Sequence, residues 1–167
     1  KFKTSSPREF YGKIISMKKS DLKPGRQCDS YEFLVILLDV LHDECKKSKL
    51  WDIYYYVPKS KNKLLYDSRQ SLKILFEKEY SYVYKLMGGQ LYSKVIEDGK
   101  ESITYEFYTT LSLPIKIDKL NKQVNLYDCF NLFCQEEQLS KNVSKSYKLF
   151  LLPEILIISL KRFNNGN

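Results

Sequence analysis

Histidine is nearly absent from this 167-residue chain: there is one, His42. The 4 cysteines, Cys28, Cys45, Cys129 and Cys134, form no Cys-x-x-Cys pair, so zinc-ligand spacing is missing. They are also too few for a secreted disulfide scaffold, and reduced thiols in an intracellular protein of the cytoplasm or nucleus are the simpler expectation. No apolar run approaches the roughly 18 residues that a membrane-spanning helix needs, so no membrane association is expected. With 6 Gly and 5 Pro the chain is neither a linker nor a collagen-like array. The start, Lys1-Phe2-Lys3-Thr4, has no signal-peptide pattern and no initiator Met, and a segment of something longer is expected.

What is present is core material. The chain is 43% hydrophobic and 14% aromatic, which separates it from disordered sequences. Its formal net charge is +8. The 28 Lys and Arg are spread along the chain in short clusters such as Lys46-Lys47-Ser48-Lys49 and Lys59-Ser60-Lys61-Asn62-Lys63. Clusters of this kind read as solvated loops, and no nucleic-acid partner is expected; a basic RNA-associated module would instead require strongly salt-dependent binding.

The local signals alternate between helix and strand. Ser6-Pro7-Arg8-Glu9 has a cap followed by Pro at the first helical position, predicting a helix to about Met17. Lys23-Pro24-Gly25 is a turn. Asp29-Ser30-Tyr31-Glu32 has capping-box spacing, and Phe33, Leu37, Val40 and Leu41 follow at helical steps, predicting a helix buried on most sides. Lys46 to Asn62, with an aromatic knot at Trp51 to Tyr56, reads as a loop, and Ser71 to Phe76 as a short helix. Tyr82 to Met87 leads into a turn at Gly88-Gly89. Gln90 to Ile96 and Ile103 to Leu113 flank Asp98-Gly99, a strong hairpin signal. Val124 to Phe133 is predicted helical, with Leu126, Phe130 and Phe133 on one face. Tyr147 to Leu152 is a strand, and Ile155 to Leu160 is an apolar run of the kind found in buried central strands. The mixture predicts an α+β fold.

Four stretches, in this order, carry a resemblance. They are Arg26-Gln27-Cys28-Asp29-Ser30-Tyr31-Glu32-Phe33-Leu34, running on to Leu37-Leu38-Asp39-Val40-Leu41-His42-Asp43-Glu44; Leu86-Met87-Gly88-Gly89-Gln90-Leu91-Tyr92-Ser93; Tyr105 to Ile115; and Leu152-Pro153-Glu154-Ile155-Leu156-Ile157-Ile158-Ser159-Leu160-Lys161-Arg162-Phe163. Their joint order resembles the ubiquitin-specific protease family from about Pro7 to Phe163. The resemblance implies part of a papain-like cysteine protease domain of thumb, palm and fingers. It places thumb helices at 1–45, a variable insertion at 46–80, and fingers and palm strands at 81–167. It implies a parent deubiquitinase that hydrolyses the bond after the C-terminal Gly of ubiquitin, acting as a monomer on ubiquitin or ubiquitinated proteins without a cofactor. The family's Asn-x-Gly-Asn-Thr-Cys motif and its His box are not in this chain, so no catalytic residue is assigned and the segment by itself is expected to be inactive. The alternative is a ubiquitin-binding pseudoprotease scaffold. Many members hold zinc at the fingertip with two Cys-x-x-Cys pairs. Between Tyr92 and Ser102, and between Leu139 and Tyr147, where these pairs would fall, this chain has no Cys, and no metal site is assigned.

Individual residues divide between scaffold and recognition. Cys28 is a nucleophile by type, but His42 lies about 20 Å further along the helix, so no dyad is expected, and a small buried hydrophobe is the simpler reading. Cys129 and Cys134 are two thiols where a zinc site needs four ligands. Asp29 and Glu32 read as a capping box; the resemblance adds that the matching acidic residues hold the basic tail of ubiquitin, with Gln27 as a weaker companion. Phe163 reads as core, and the resemblance places it on the tail channel.

Overall fold

A computed structural model describes residues 6–16, 25–46, 62–115 and 123–162. The chain divides into two compact units, Lys1–Cys45 and Lys46–Asn167. Among the described residues the first unit holds helices, and the second mixes helices with strands, as in an α+β chain.

The first unit contains α1 (Pro7–Ser16) and α2 (Ser30–Glu44). Ser6 starts α1: its hydroxyl accepts from the Arg8 N–H at 3.3 Å and its carbonyl from the Glu9 N–H at 3.1 Å. Asp29 caps α2 in extended backbone and accepts from the Tyr31 N–H at 2.8 Å. Leu38 and His42, one turn apart, are the buried residues of α2, while Phe33, Leu37 and Val40 are half-buried and Leu41 is exposed. The helix is therefore less enclosed than its apolar content predicts. Cys28 and Cys45 flank it and are exposed, which corrects the reading of Cys28 as a buried hydrophobe. Each stands at a helix end, beyond the packed turn.

Among the described residues the first element of the second unit is α3 (Lys63–Lys78), much longer than the Ser71 to Phe76 segment expected. Its buried stripe is Ser68, Leu72 and Phe76, and a serine in that stripe breaks the apolar period by which a helix is recognised. The loop reading for Lys46 to Asn62, with its aromatic knot, falls mostly outside the described residues. Ser81 caps the short helix α4 (Tyr82–Met87).

Two sheets follow. The larger has the order β2-β1-β5-β4, all antiparallel, from β1 (Gly89–Glu97), β2 (Lys100–Tyr108), β4 (Glu137–Ser140) and β5 (Val143–Leu151). The smaller pairs β3 (Thr110–Pro114) in parallel with β6 (Ile157–Lys161). The single strand expected over Ile103 to Leu113 is thus two, separated at Thr109, and the second half joins a different sheet. β6 is not the enclosed central strand its apolar run suggested. Among the described residues its one neighbour is β3, and Ile155 and Leu160 are exposed. Between β3 and β4 in sequence lies α5 (Leu126–Phe133), which begins after Val124 because Asn125 and Asp128 form a reciprocal capping box, with 3.0 Å bonds in each direction. Its buried residue is Cys129, and Leu126, expected on the core face, is exposed.

Alternation along β1 directs the sheet to two cores. Leu91 joins Tyr108, Leu111, Leu113 and Cys129, with Phe130, Phe133, Tyr147 and Leu149 around them. On the opposite face Leu72, Phe76 and Tyr80 pack with Tyr84, Phe107 and Leu151. Gln90 sits on this second face, 1% exposed. Its amide carbonyl accepts from the Ser68 hydroxyl at 2.5 Å and its amide nitrogen donates to the Ser68 carbonyl at 3.2 Å. Just before it, the chain passes too close to its neighbours for a side chain. A Cβ on Gly88 would stand 2.6 Å from the Phe107 ring; one on Gly89 would stand 2.6 Å from the Tyr108 hydroxyl and 2.7 Å from the Leu151 carbonyl oxygen.

Two stability measurements check this packing. Ser68→Ala leaves the Gln90 carbonyl buried without its donor and is expected to cost about 1–3 kcal/mol in urea unfolding. Gly89→Ala forces Tyr108 off its contact with Leu151 and is expected to cost about 1–3 kcal/mol, whereas Gly12→Ala, with nothing within 4 Å, is expected to be neutral or stabilising.

Candidate functional site

The residues singled out in the sequence fall at the start of α2. Gln27, Asp29 and Glu32 are all exposed there, in the first unit. Asp29 uses one carboxylate oxygen, Oδ1, on the Tyr31 N–H. Glu32 does not return the bond, so the capping box read from the spacing is only half formed. Among the described residues no side chain pairs with the Glu32 carboxylate. Both acidic groups therefore face solvent beside the unsatisfied N–H groups of a helix start, an arrangement suited to a cationic, hydrogen-bonding segment of a partner. Phe163, the remaining site residue, lies outside the described residues.

No nucleophile and base meet in the described part of either unit. Cys28 precedes α2 and His42 lies buried in its last turn, at opposite ends of the same helix. Among the described residues no group of three His, Cys, Asp or Glu side chains could hold a metal ion, and no helix is long and apolar enough to cross a membrane.

In the second unit the four-stranded sheet supplies a broad surface. One face carries Tyr92, Tyr105 and Phe150 as an edge-to-face series, with ring centroids 6.1 and 5.2 Å apart. Tyr105 is fixed by donating its hydroxyl hydrogen to the Leu64 carbonyl at 2.8 Å. Beyond it Ile103 is exposed and Lys94 pairs with Glu101. On the other face Lys145 reaches Glu106 at 3.2 Å and lies 4.6 Å from the centre of the Tyr147 ring, which stacks on Phe133 at 5.6 Å. These pairings were not legible in the sequence, because the partners are joined through strand register and not through local spacing.

Titration of this unit has one sign. The Tyr147 side chain, and after it Glu106, hold the Lys145 ammonium above the usual lysine range. Burial pushes the Tyr105 and Tyr108 phenols up. Each folded pKa is raised above its unfolded value, so each contribution is complete below the unfolded pKa near 10 and is lost as pH rises through the folded one. Stability is therefore expected to fall above about pH 10. Tyr108→Phe removes the bond to the Leu151 carbonyl and is expected to cost about 0.5–1.5 kcal/mol at pH 7, a deficit that narrows above pH 10 in parallel denaturation curves.

Comparison with known proteins follows the same lines. The family described as ubiquitin carboxyl-terminal hydrolase matches residues 1–167. The ubiquitin carboxyl-terminal hydrolase 2 of Gallus gallus is 32% identical over 181 residues, covering 96% of this chain and 49% of that protein. The ubiquitin carboxyl-terminal hydrolase 7 of Saccharomyces cerevisiae is 34% identical over 151 residues, covering 77% of this chain and 14% of that one. The chain thus spans about half, or less, of the length of these curated relatives. Among solved structures, the SAGA DUB module of Ubp8, Sgf11, Sus1 and Sgf73 bound to monoubiquitin matches with a TM-score of 0.55 at 22% identity, over 84% of this chain and 28% of the matched one. A further structure of the Ubp8-Sgf11-Sgf73-Sus1 module matches with a TM-score of 0.53 at 24% identity, over 83% and 28%. At these identities the likeness is one of fold.

Proposed function

The chain belongs to the ubiquitin carboxyl-terminal hydrolase family, and from that premise we propose that the protein it comes from is a deubiquitinase in which this segment holds ubiquitin. The reaction is attack of a thiolate on the carbonyl after ubiquitin's terminal Gly, giving an acyl-enzyme that water hydrolyses. It requires a His base and an oxyanion hole, groups assigned to no residue of this chain.

The observation that carries the reading is the half-open cap of α2. Asp29 and Glu32 stand exposed in one of the two most specific family stretches, and Glu32 is left out of the capping exchange. Carboxylates in this position suit the arginines of a basic peptide tail through charge-assisted bonds, with Gln27 as a polar neighbour. The hairpin of β1 and β2 supplies the second contact, a finger laid against the globular body of ubiquitin. Its far half, exposed from Lys100 to Thr104, is the part open to such a contact.

The test is covalent labelling of the full-length protein by ubiquitin bearing an electrophile at its C-terminus. Labelling is expected, and it is expected to be abolished by replacing a single cysteine outside this chain. Asp29→Asn, which keeps a good helix cap, and Glu32→Gln, which keeps the side-chain length, are each expected to slow labelling about tenfold. Labelling at the unaltered rate in both variants would overturn the tail site. Absence of labelling would overturn the enzymatic reading, and binding of unmodified ubiquitin would then identify a scaffold.

A further inference from the structure

The family's fingertip metal has no matching ligands here, and the two places where those ligands would fall contain a different device. The first window, Tyr92 to Ser102, holds the β1–β2 turn at Asp98-Gly99. The second, Leu139 to Tyr147, holds the β4–β5 turn at Lys141-Asn142. Neither contains a sulfur or imidazole donor, so the residues present do not fit a zinc ion.

We propose that Asp98 and Asn142, one from each turn, form a metal-free clasp that closes the fingertip. The two turns meet because β1 and β5 are the central, directly paired strands of the sheet. The last rung of that ladder is Glu97 with Val143. One step beyond it, the Asp98 N–H donates to the Asn142 carbonyl at 3.1 Å and the Asn142 side-chain amide donates to Asp98 Oδ1 at 2.7 Å. The bonds run in opposite directions, so the two residues form a closed ring that ties both hairpins at once. The second bond is to a carboxylate, which makes it stronger than a neutral pair.

Backbone geometry supports the same assignment. Asp98 has a φ of 49° and Gly99 a φ of 76°, the two left-handed positions of a tight hairpin turn. Asp98 is the only non-glycine residue at positive φ among those described. Asp and Asn tolerate this region better than other side chains, so the turn and the clasp ask for the same residue type. With the tips joined, the sheet's far end moves as one piece, and the surface offered to a partner keeps its shape with no ion bound.

Amide exchange in the full-length protein tests the clasp independently of ubiquitin binding. Asn142→Asp sets two carboxylates against each other, and it is expected to raise exchange at the Asp98 amide about fivefold while leaving the Gln90 and Leu91 amides unchanged. The exchanged pair, Asp98→Asn with Asn142→Asp, restores one amide and one carboxylate and is expected to return protection to within about twofold of the original. Added zinc or a chelator is expected to leave the same amide unchanged. Wild-type exchange in Asn142→Asp, failure of the exchanged pair to recover, or protection that follows zinc would each overturn the proposal.

Discussion

The second unit depends on the exchange between Ser68 and Gln90. Each of these residues is a polar group in an otherwise apolar layer, 0% and 1% exposed, and either alone would leave a buried amide or hydroxyl without a partner. Together they satisfy each other, and the double bond fixes more than distance. It sets the rotation of α3, since only Ser68, Leu72 and Phe76 then face the sheet. It also sets the register of β1, because a slip of one residue would turn Gln90 to the opposite core and bring Leu91 under α3. A hydrophobic pair at this place would tolerate such slips; this pair does not.

The rest of the sheet follows from that anchor. Beside Gln90 the pairing of β1 with β5 shifts register, so that Leu149 packs in the core around Leu91 while both Phe150 and Leu151 turn toward α3. Leu151 then comes close enough for its carbonyl to accept from Tyr108, and the approach leaves room only for glycine at position 89. Burial falls steadily with distance from the anchor. β1 is buried from Gly89 to Leu91 and exposed at Glu97, and β2 is buried at Tyr108 and exposed from Lys100 to Thr104. The sheet is thus held firmly at one end and presented to solvent at the other, where surface ion pairs such as Lys94 with Glu101 add little energy and much polarity.

Local chemistry was legible in the sequence and long-range chemistry was not. As cap and turn signals, Ser6-Pro7, Asp29 and Asp98-Gly99 each depend on neighbours within four residues of chain, and each sits where its type predicts. The failures share a cause. α3 was underestimated because Ser68, a residue that breaks the apolar period, is explained only by Gln90, a strand away. The break at Thr109 was invisible because an apolar alternation continues unchanged from one sheet into the next. In α5 the buried position belongs to Cys129 and not to Leu126, because the reciprocal cap of Asn125 and Asp128 fixes where the helix begins and hence which face turns inward. Family resemblance pointed to Asp29, Glu32 and Gln27, and their exposure at one helix start is a property of geometry that spacing alone does not supply.

Two of the described helices, α2 and α5, begin with the same four-residue spacing of acidic and capping residues, and the spacing is used differently in each. In α5 the exchange between Asn125 and Asp128 is complete, and the acidic side chain is occupied in holding the helix end. In α2 Asp29 makes its bond to Tyr31 and Glu32 makes none in return. A closed box contributes more to the helix than an open one, since two orphan N–H groups are satisfied in place of one. The α2 start is therefore the less stable arrangement of the two, and it keeps one whole carboxylate and half of another available to solvent. A carboxylate already committed to the backbone has less to offer a guanidinium than one that is not, and the α2 start is the one of the two that keeps such a carboxylate in reserve.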